Sequence, residues 1–313
     1  MIITDNISKD FKEIKAVDGV SLNVRAGEVL ALLGPNGAGK TTTVRMLTTV
    51  LRPSSGTARV AGYDVITNPE EVRASVGVLT EDHGLYDRMH IQEYLDFFGQ
   101  IYGMPAESRE KRIQHLINKF DLSDAVNRRI GKYSKGMRQK LSLARSLLHT
   151  PLVLLLDEPT SAMDPASARL VRNAIKSLRS DDRAIIVCTH NLAEAEELAD
   201  KIAIIRAGRI IASGTPEELK EQLLGPVEYM VQLANKLDSR ALPLPGDAVL
   251  ADKGKDWFRY SVKSPVESNP VILQNLVDEG YKVVRIEEIK RSLESVYLQA
   301  VNHKHVKETS HVE

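Results

Sequence analysis

The segment at residues 34–41 has the residue types and the spacing that phosphate binding requires. It reads Gly-Pro-Asn-Gly-Ala-Gly-Lys-Thr and follows the apolar run at 29–33. Three glycines let the backbone turn with several N–H groups pointing inward, and the helix expected next directs its positive end to the same point. Lys40 adds a point charge, and the Thr41 hydroxyl can ligate Mg²⁺. The pattern predicts a nucleoside triphosphate site, against the alternative of a glycine-rich turn. The residues predicted to form it are Gly34, Pro35, Asn36, Gly37, Ala38, Gly39, Lys40, Thr41 and Thr42.

Two carboxylates lie where a second buried strand would end. The run at 152–156 is continuously apolar, and Asp157 and Glu158 follow it directly. Beside a phosphate-binding loop, the first carboxylate is placed to contact Mg²⁺, and the second can accept a proton from an attacking water. Taken alone, acids at the end of a buried strand need no function. The two motifs therefore support each other.

His190 follows a third apolar run, at 184–187, and precedes a helical stretch. Ligands collect at the carboxyl edge of parallel sheets, so this side chain is a candidate to position water or to sense the terminal phosphate. The alternative is a histidine that only forms hydrogen bonds at the start of the helix.

The elements that must position these residues alternate between strands and helices. The stretch before residue 80 contains short β-rich segments, and the stretch from about 91 to 148 has helical spacing. Apolar runs that alternate with helical stretches then favour a parallel sheet with crossover helices, closed by a hairpin. The strand candidates are 16–24, 29–33, 57–60, 76–79, 152–156, 184–187, 202–206 and 209–212, and the helix candidates between them are 166–178 and 192–199.

The character of the chain changes after Gly225-Pro226, where a small α+β domain is expected. Its strand candidates are 227–233, 258–262 and 282–286, and its helix candidates are 270–277 and 293–300. The predicted domains are 1–225, with a helical subdomain at about 88–148, and 226–302. The polar tail at 303–313 has no periodicity and is predicted to be disordered.

Composition bounds the class of protein. The chain has 313 residues, 42 Lys and Arg against 42 Asp and Glu, and 42% hydrophobic residues, which indicates a soluble globular protein. A balanced charge argues against a nucleic-acid partner. No apolar run approaches the length of a membrane span, and the N-terminus lacks the pattern of a signal peptide, so a cytosolic chain is expected. Cys188 lies in an apolar run and is predicted to be a buried small hydrophobe.

The motifs together resemble the ATP-binding subunits of ABC transporters over residues 1 to about 220. The resemblance rests on the phosphate loop, the segment Tyr-Ser-Lys-Gly-Met-Arg-Gln at 133–139, the segment 152–160 with Asp-Glu-Pro-Thr, Ser-Ala-Met-Asp-Pro at 161–165, and His190. The run at 84–88, the Tyr-Ser-Lys-Gly-Met form and the C-terminal extension are similar to the ABC-2 branch. That branch largely exports drugs, antibiotics, lipid-linked polymers or sodium.

The resemblance implies an α/β fold and a role for each matching residue. The fold would be a RecA-like P-loop NTPase core with an antiparallel β subdomain and an inserted helical subdomain, plus the small C-terminal α+β domain. Asp157 and Thr41 would hold Mg²⁺, Glu158 would be the general base, and His190 the switch residue. Phe11 would stack on adenine, with core packing as the alternative. The residues implied to face ATP bound to a second subunit, or to lie at the dimer seam, are Ser134, Lys135, Gly136, Met137, Ala162 and Asp164.

Two departures from the family pattern bear on the chemistry. The usual Leu-Ser-Gly-Gly-Gln signature has Tyr133, Lys135 and Met137 in place of the leucine, the first glycine and the glutamine, and Lys135 adds a cation beside a phosphate. Glu81 occupies the position where the family has a glutamine that contacts Mg²⁺. A carboxylate can still ligate Mg²⁺, yet it brings another negative charge near the phosphate. The alternative is that Glu81 and Asp82 are exposed loop acids.

The implied function is an ATPase subunit that uses ATP and Mg²⁺ and powers export through separate polytopic membrane subunits. ATP would be sandwiched between this chain and a second nucleotide-binding subunit, either another copy or a homologue, at the cytoplasmic face of the membrane. The membrane subunit is expected to bind between the loop at Glu81 and the helical subdomain near 86–98. The alternative is a non-transport ABC ATPase acting on the ribosome or DNA. A regulatory module with an inactive site would need the loss of Lys40, Asp157 or Glu158, and all three are present.

Overall fold

The computed structural model describes residues 1–80, 84–161, 163–237 and 242–308, with only the backbone described for 302–308. The chain divides into two compact units, Met1–Pro216 and Glu217–Glu313. The sequence placed this division later, after residue 225. Among the residues that the structure describes, no helix combines the length and the hydrophobicity needed to cross a bilayer.

The first unit contains ten strands and seven α-helices among its described residues. In chain order they are β1 (Ile2–Phe11), β2 (Ile14–Val24), β3 (Val29–Leu33), α1 (Lys40–Leu47), β4 (Ser55–Val60), β5 (Tyr63–Asp64), α2 (Pro69–Ser75), β6 (Val76–Leu79), α3 (Ile91–Ile101), α4 (Ala106–Lys119), α5 (Lys135–Ser146), β7 (Val153–Asp157), α6 (Pro165–Lys176), β8 (Ala184–Thr189), α7 (Leu192–Leu198), β9 (Lys201–Arg206) and β10 (Arg209–Gly214).

A six-stranded sheet in the order β10-β9-β3-β8-β7-β6 forms the centre of this unit. The strands from β9 to β6 are parallel, and β10 pairs antiparallel with β9 in the predicted hairpin. Every residue of β3, β7 and β8 is buried because both faces of the sheet are covered. Successive residues of a strand point to opposite faces, so Leu154 and Leu156 pack toward the helical side, while Val153 and Leu155 pack toward α1 and the second sheet.

The second sheet is antiparallel, in the order β2-β1-β4-β5, and shares its core with α1. The helices α3, α4 and α5 form the predicted helical subdomain, where Tyr94, Ile117 and Leu141 are fully buried. Helix α3 begins with a capping box, in which Glu93 accepts a hydrogen bond from the His90 N–H at 2.9 Å. These elements match those of an α/β P-loop NTPase core with antiparallel and helical subdomains, which confirms the predicted fold class.

The second unit is an antiparallel sheet with helices. Its elements are α8 (Pro216–Leu224, which begins at the last residue of the first unit), β11 (Glu228–Leu233), β12 (Ala248–Lys253), β13 (Trp257–Val262), α9 (Pro265–Asp278), β14 (Val283–Glu288) and α10 (Leu293–Glu308). The sheet order is β12-β13-β11-β14, and Phe258, Tyr260, Ile272 and Leu276 are buried in its core. Helix α10 continues to Glu308, although the sequence predicted disorder from residue 303.

Cys188 is a free thiol with no exposed surface, in the middle of the central sheet. Burial raises the pKa of this thiol well above its ordinary value, and the charge of Asp157 adds to the effect. The thiol therefore stays protonated and packs as a small apolar side chain, as predicted.

Candidate active site

The glycine-rich loop connects β3 to α1 and encloses a cavity of 330 Å³ lined by the loop itself, Ala16 and Glu158. Gly39 is the N-cap of α1 with φ of 110°, and no side chain caps this helix. A Cβ atom on Gly39 would lie 2.6 Å from the Ala16 carbonyl oxygen, and one on Gly34 would lie 2.3 Å from the Ile205 carbonyl oxygen. Only glycine fits these two positions. The loop therefore offers backbone N–H groups and a free helix N-terminus to an anion.

Replacing Gly39 with alanine should destabilise the fold and weaken nucleotide binding, because the new Cβ meets the Ala16 carbonyl and the backbone stays left-handed. Strain of this kind costs about 1–3 kcal/mol, and the close contact adds to it. Thermal denaturation and nucleotide titration check both effects. Gly103→Ala is the matched control, since Gly103 also has positive φ, of 66°, but its Cβ would meet nothing within 4 Å. Equal stability of the two variants would contradict this account of the loop.

Lys40 is held at the mouth of the loop although only 5% of it is exposed. Its Nζ donates to the carbonyl oxygens of Gly34 at 2.7 Å and Pro35 at 3.2 Å, and lies 3.2 Å from Glu158 Oε1. The carboxylate compensates the buried ammonium group and keeps it extended across the loop. A phosphate oxygen entering the loop would find a cation already in position.

Thr41 and Asp157 line a second cavity, of 920 Å³, beside the loop. Thr41 also lines the loop cavity, and Asp157, at the end of β7, is almost fully buried. A hydroxyl and a carboxylate are hard oxygen donors of the kind that Mg²⁺ takes together with phosphate oxygens. The two residues thus fit the predicted metal site. Glu81, the third predicted ligand, lies outside the described residues, as does Asp82.

Glu158 adopts a left-handed backbone conformation with φ of 49°, directly after β7. Its N–H donates to the Cys188 carbonyl at 2.8 Å, and its side chain is 8% exposed. Non-glycine residues in this region cost of the order of 1–3 kcal/mol, so the surroundings must impose the conformation. The turn directs the carboxylate out of the sheet and toward the phosphate loop.

His190 follows β8 and places Nδ1 2.8 Å from Glu158 Oε2. The residue before it, Thr189, accepts a hydrogen bond from the Gly34 N–H at 3.2 Å, which ties the start of the phosphate loop to the same strand end. Asn191 caps α7 by accepting from the Glu194 N–H at 3.2 Å. The structure therefore brings Lys40, Glu158 and His190 together at the carboxyl edge of the sheet.

Other predicted site residues lie away from the loop cavity. Phe11 is 44% exposed at the end of β1, with Lys9 Nζ 5.3 Å from the centre of its ring, which rules out the core-packing alternative. Ser134 caps α5 by accepting from the Met137 N–H at 3.3 Å, and Lys135 and Gly136 open that helix at the surface. None of these residues lines the cavity around Lys40.

Of the two residues predicted at the dimer seam, the structure describes only Asp164. Asp164 is the exposed N-cap of α6 and accepts from the N–H groups of Ala166 at 3.1 Å and Ser167 at 3.0 Å. The hydrogen bonds from Ser167 hold the pKa of Asp164 below its ordinary value. Ala162 lies outside the described residues. The partner side of the seam stays a prediction.

The sequence did not single out two buried polar residues behind the site. Gln139 on α5 donates from Nε2 to the Pro159 carbonyl at 2.5 Å, and Glu194 on α7 accepts from the Thr160 hydroxyl at 2.8 Å. Glu194 follows the helix cap Asn191 by three residues, a spacing that usually predicts a carboxylate at the helix start. That spacing was a usable signal, although here the side chain turns inward.

A glycine loop before a helix, a buried lysine, oxygen donors facing one cavity and a carboxylate at the carboxyl edge of a parallel sheet define a P-loop nucleoside triphosphate-binding protein. The sequence profile of the ABC transporter family matches residues 17–161. A second profile, the C-terminal domain of DrrA1-3-like ATP-binding proteins, matches residues 214–301. The two profiles fall on the two parts of the chain.

Known proteins agree with this assignment. The daunorubicin resistance ATP-binding protein DrrA3 of Streptomyces coeruleorubidus is 35% identical over 298 residues, which cover 95% of this chain and 94% of the relative. The ABC transporter ATP-binding protein NatA of Bacillus subtilis is 41% identical over 226 residues, 71% of this chain and 92% of NatA. A solved structure of the ATP-binding subunit of an ABC transporter is similar with a TM-score of 0.66 and 28% identity, covering 72% of this chain and 94% of that one. This chain belongs to the ATP-binding subunits of ABC transporters, with the C-terminal domain of the DrrA-like, ABC-2 branch.

Proposed function

We propose that this chain hydrolyses ATP with Mg²⁺ and thereby powers export through a separate membrane protein. The observation that carries the proposal is the position of the Glu158 carboxylate, which reaches Lys40 on one side and His190 on the other at the mouth of the phosphate loop. The proposed base is thus in contact with both the phosphate-binding lysine and the proposed switch residue. The relatives named for drug resistance and transport support the export role.

The loop residues would bind the triphosphate before any bond breaks. Backbone N–H groups at the start of α1 and the Lys40 ammonium group hold the phosphate oxygens by charge-assisted hydrogen bonds. Thr41 and Asp157 would hold Mg²⁺, which when bound neutralises charge that develops on the phosphate oxygens. The exposed ring of Phe11 is available for stacking on the base.

Glu158 would take the proton of the attacking water. Its backbone turn points the carboxylate into the loop cavity, and the contact with His190 Nδ1 fixes the orientation of the carboxylate plane. Binding of phosphate to Lys40 weakens the contact between that lysine and Glu158, which leaves the carboxylate available as a base. His190 lies just before α7, so a change in its contact with Glu158 would reach the start of that helix.

A second nucleotide-binding subunit, a copy of this chain or a homologue, would complete the site. The N-terminus of α5, which begins after Ser134, would face the terminal phosphate of ATP bound to the other subunit. ATP then bridges two surfaces, and hydrolysis removes the bridge so that the subunits separate. ATP binding would thus bring the two subunits together, and hydrolysis would let them part.

The membrane subunit would bind beside the large cavity that contains Thr41 and Asp157. Phe98, Ile101 and Tyr102 line the helical side of this cavity. Tyr86 and Phe97 extend the apolar surface, with ring centres 6.0 Å apart and both side chains exposed. A partner bound here touches the same cavity as the metal ligands and can therefore respond to the nucleotide. The chain would lie at the cytoplasmic face of the membrane as a peripheral subunit.

Purification of the chain from native membranes in mild detergent should recover a polytopic membrane protein, identified by mass spectrometry. Ile101→Asp should lose this partner while the chain still binds ATP, because an acid is placed in the apolar rim of the cavity. Ile3→Asp, at a residue 52% exposed on β1, is the matched control and should keep the partner. Recovery of ribosomal or DNA-associated proteins in place of a membrane protein would contradict the proposed export function.

A further inference from the structure

The segment Glu158–Thr160 carries the base in a strained turn, and two buried side chains from different helices hold it. Gln139 on α5 is 2% exposed and donates to the Pro159 carbonyl at 2.5 Å. Glu194 on α7 is 1% exposed and accepts from the Thr160 hydroxyl at 2.8 Å. Buried polar groups without partners are costly, so each of these contacts resists displacement of the segment.

Glu194 also joins the two strand ends that carry the reactive side chains. Besides Thr160, which follows β7, it hydrogen bonds to Thr189 at the end of β8. The Thr189 hydroxyl accepts from the Asn191 N–H at 3.0 Å, which leaves its own proton for the Glu194 carboxyl group. Behind the contact between Glu158 and His190, therefore, a second and fully buried link runs between the same two strand ends.

Burial raises the pKa of Glu194 above its ordinary value, whereas the hydrogen bonds from Thr189 and Thr160 act in the opposite direction. Burial is the larger effect, so the two hydroxyl groups offset only part of its cost. No substrate atom can reach Glu194 through the loop cavity, because the residue does not line it. Glu194 acts through other residues.

We propose that Gln139 and Glu194 are positioning residues that hold the Glu158–Thr160 segment in its left-handed turn, so that the Glu158 carboxylate faces the attacking water. The inference rests on the proposed ATPase function and goes beyond it, since neither residue lines the loop cavity or the cavity that contains Thr41 and Asp157. Gln139 lies on the helix that begins at Ser134–Gly136.

Two substitutions of conserved size test the proposal in the full-length chain. Gln139→Glu replaces the donor to the Pro159 carbonyl with a carboxylate, which can only accept hydrogen bonds. Thr160→Val removes the hydroxyl that donates to Glu194. Both should lower kcat for ATP by roughly 100-fold, the effect of a misplaced reacting group, and leave the affinity for ATP within about twofold. Thr160→Ser keeps the hydroxyl and should recover most of the turnover. Gln114→Glu, at an exposed glutamine on α4, should leave kcat unchanged.

A double substitution separates positioning of the base from general damage to the fold. In a Glu158→Gln background, Gln139→Glu should not reduce the residual turnover further, because the group that it positions is already gone. A further loss there, or an unchanged kcat in both Gln139→Glu and Thr160→Val, would overturn the proposal. If Gln139→Glu does not fold, the comparison of kcat between Thr160→Val and Thr160→Ser tests the proposal instead. Equal kcat values in those two variants would overturn it. A wild-type chain without ATP turnover would instead refute the proposed function, so the two failures are distinguishable.

Discussion

Glu158→Gln should lower ATP turnover by roughly 10²–10⁴-fold, the usual contribution of a positioned general base, while ATP binding is retained. The amide has the shape of the carboxylate and can still form a hydrogen bond with His190 Nδ1, 2.8 Å away, but it cannot take a proton from water. Lys40 keeps its hydrogen bonds to the carbonyl oxygens of Gly34 and Pro35, so the cation stays at the phosphate site.

The measurement is phosphate release at saturating ATP and Mg²⁺, combined with a binding titration of a fluorescent ATP analogue. Glu107→Gln is the matched control, because Glu107 lies on the exposed face of α4 in an ion pair with Lys111. The control should hydrolyse ATP at the wild-type rate. Undiminished hydrolysis by Glu158→Gln would remove Glu158 from the role of base.

Lys40→Met should weaken ATP binding by about 10- to 100-fold, since a charge-assisted hydrogen bond contributes about 1.5–3 kcal/mol. The substitution also leaves the Glu158 carboxylate, which is 8% exposed, without its cation. The free chain should therefore unfold at a lower temperature. Nucleotide titration and thermal denaturation measure the two effects separately.

The double variant Lys40→Met with Glu158→Gln sharpens this prediction. Removal of the carboxylate as well should restore the unfolding temperature, whereas ATP affinity should stay low, because the phosphate still lacks its cation. Lys111→Met, at an exposed lysine of α4, is the control and should change neither quantity. Wild-type ATP affinity in Lys40→Met would contradict the assignment of the loop.

The central strands were predictable because their residues are buried on both faces. β3 has the predicted bounds, and β7 and β8 differ by one or two residues at their ends. Strand β1 was not predicted. Its apolar residues do not alternate evenly along the sequence. In the structure the strand is also irregular, because Asn6 is left-handed and the pairing with β2 shifts between Thr4 and Ile7. Strand β12 was also missed, because most of its residues are exposed and its end is charged.

The positions of the candidate site residues were predictable for the same reason as the strands. Asp157, Glu158 and His190 each follow an apolar run, and parallel strands bring such ends to one edge. The burial of Gln139 and Glu194 was not predictable, because a polar residue on an amphipathic helix is expected to face solvent. Their burial results from tertiary packing around the Glu158–Thr160 segment. The residue pattern of a single helix does not indicate which other segments will pack against it.

The most direct test of the central claim uses the complex isolated from native membranes in mild detergent. Phosphate release from ATP and Mg²⁺ is compared between complexes that contain the wild-type chain and complexes of the same composition that contain Glu158→Gln. The wild-type complex should hydrolyse ATP, and the variant complex should retain only a small fraction of that rate while its composition is unchanged. Equal rates in the two complexes, or no hydrolysis in either, would contradict an ATPase subunit whose base is Glu158.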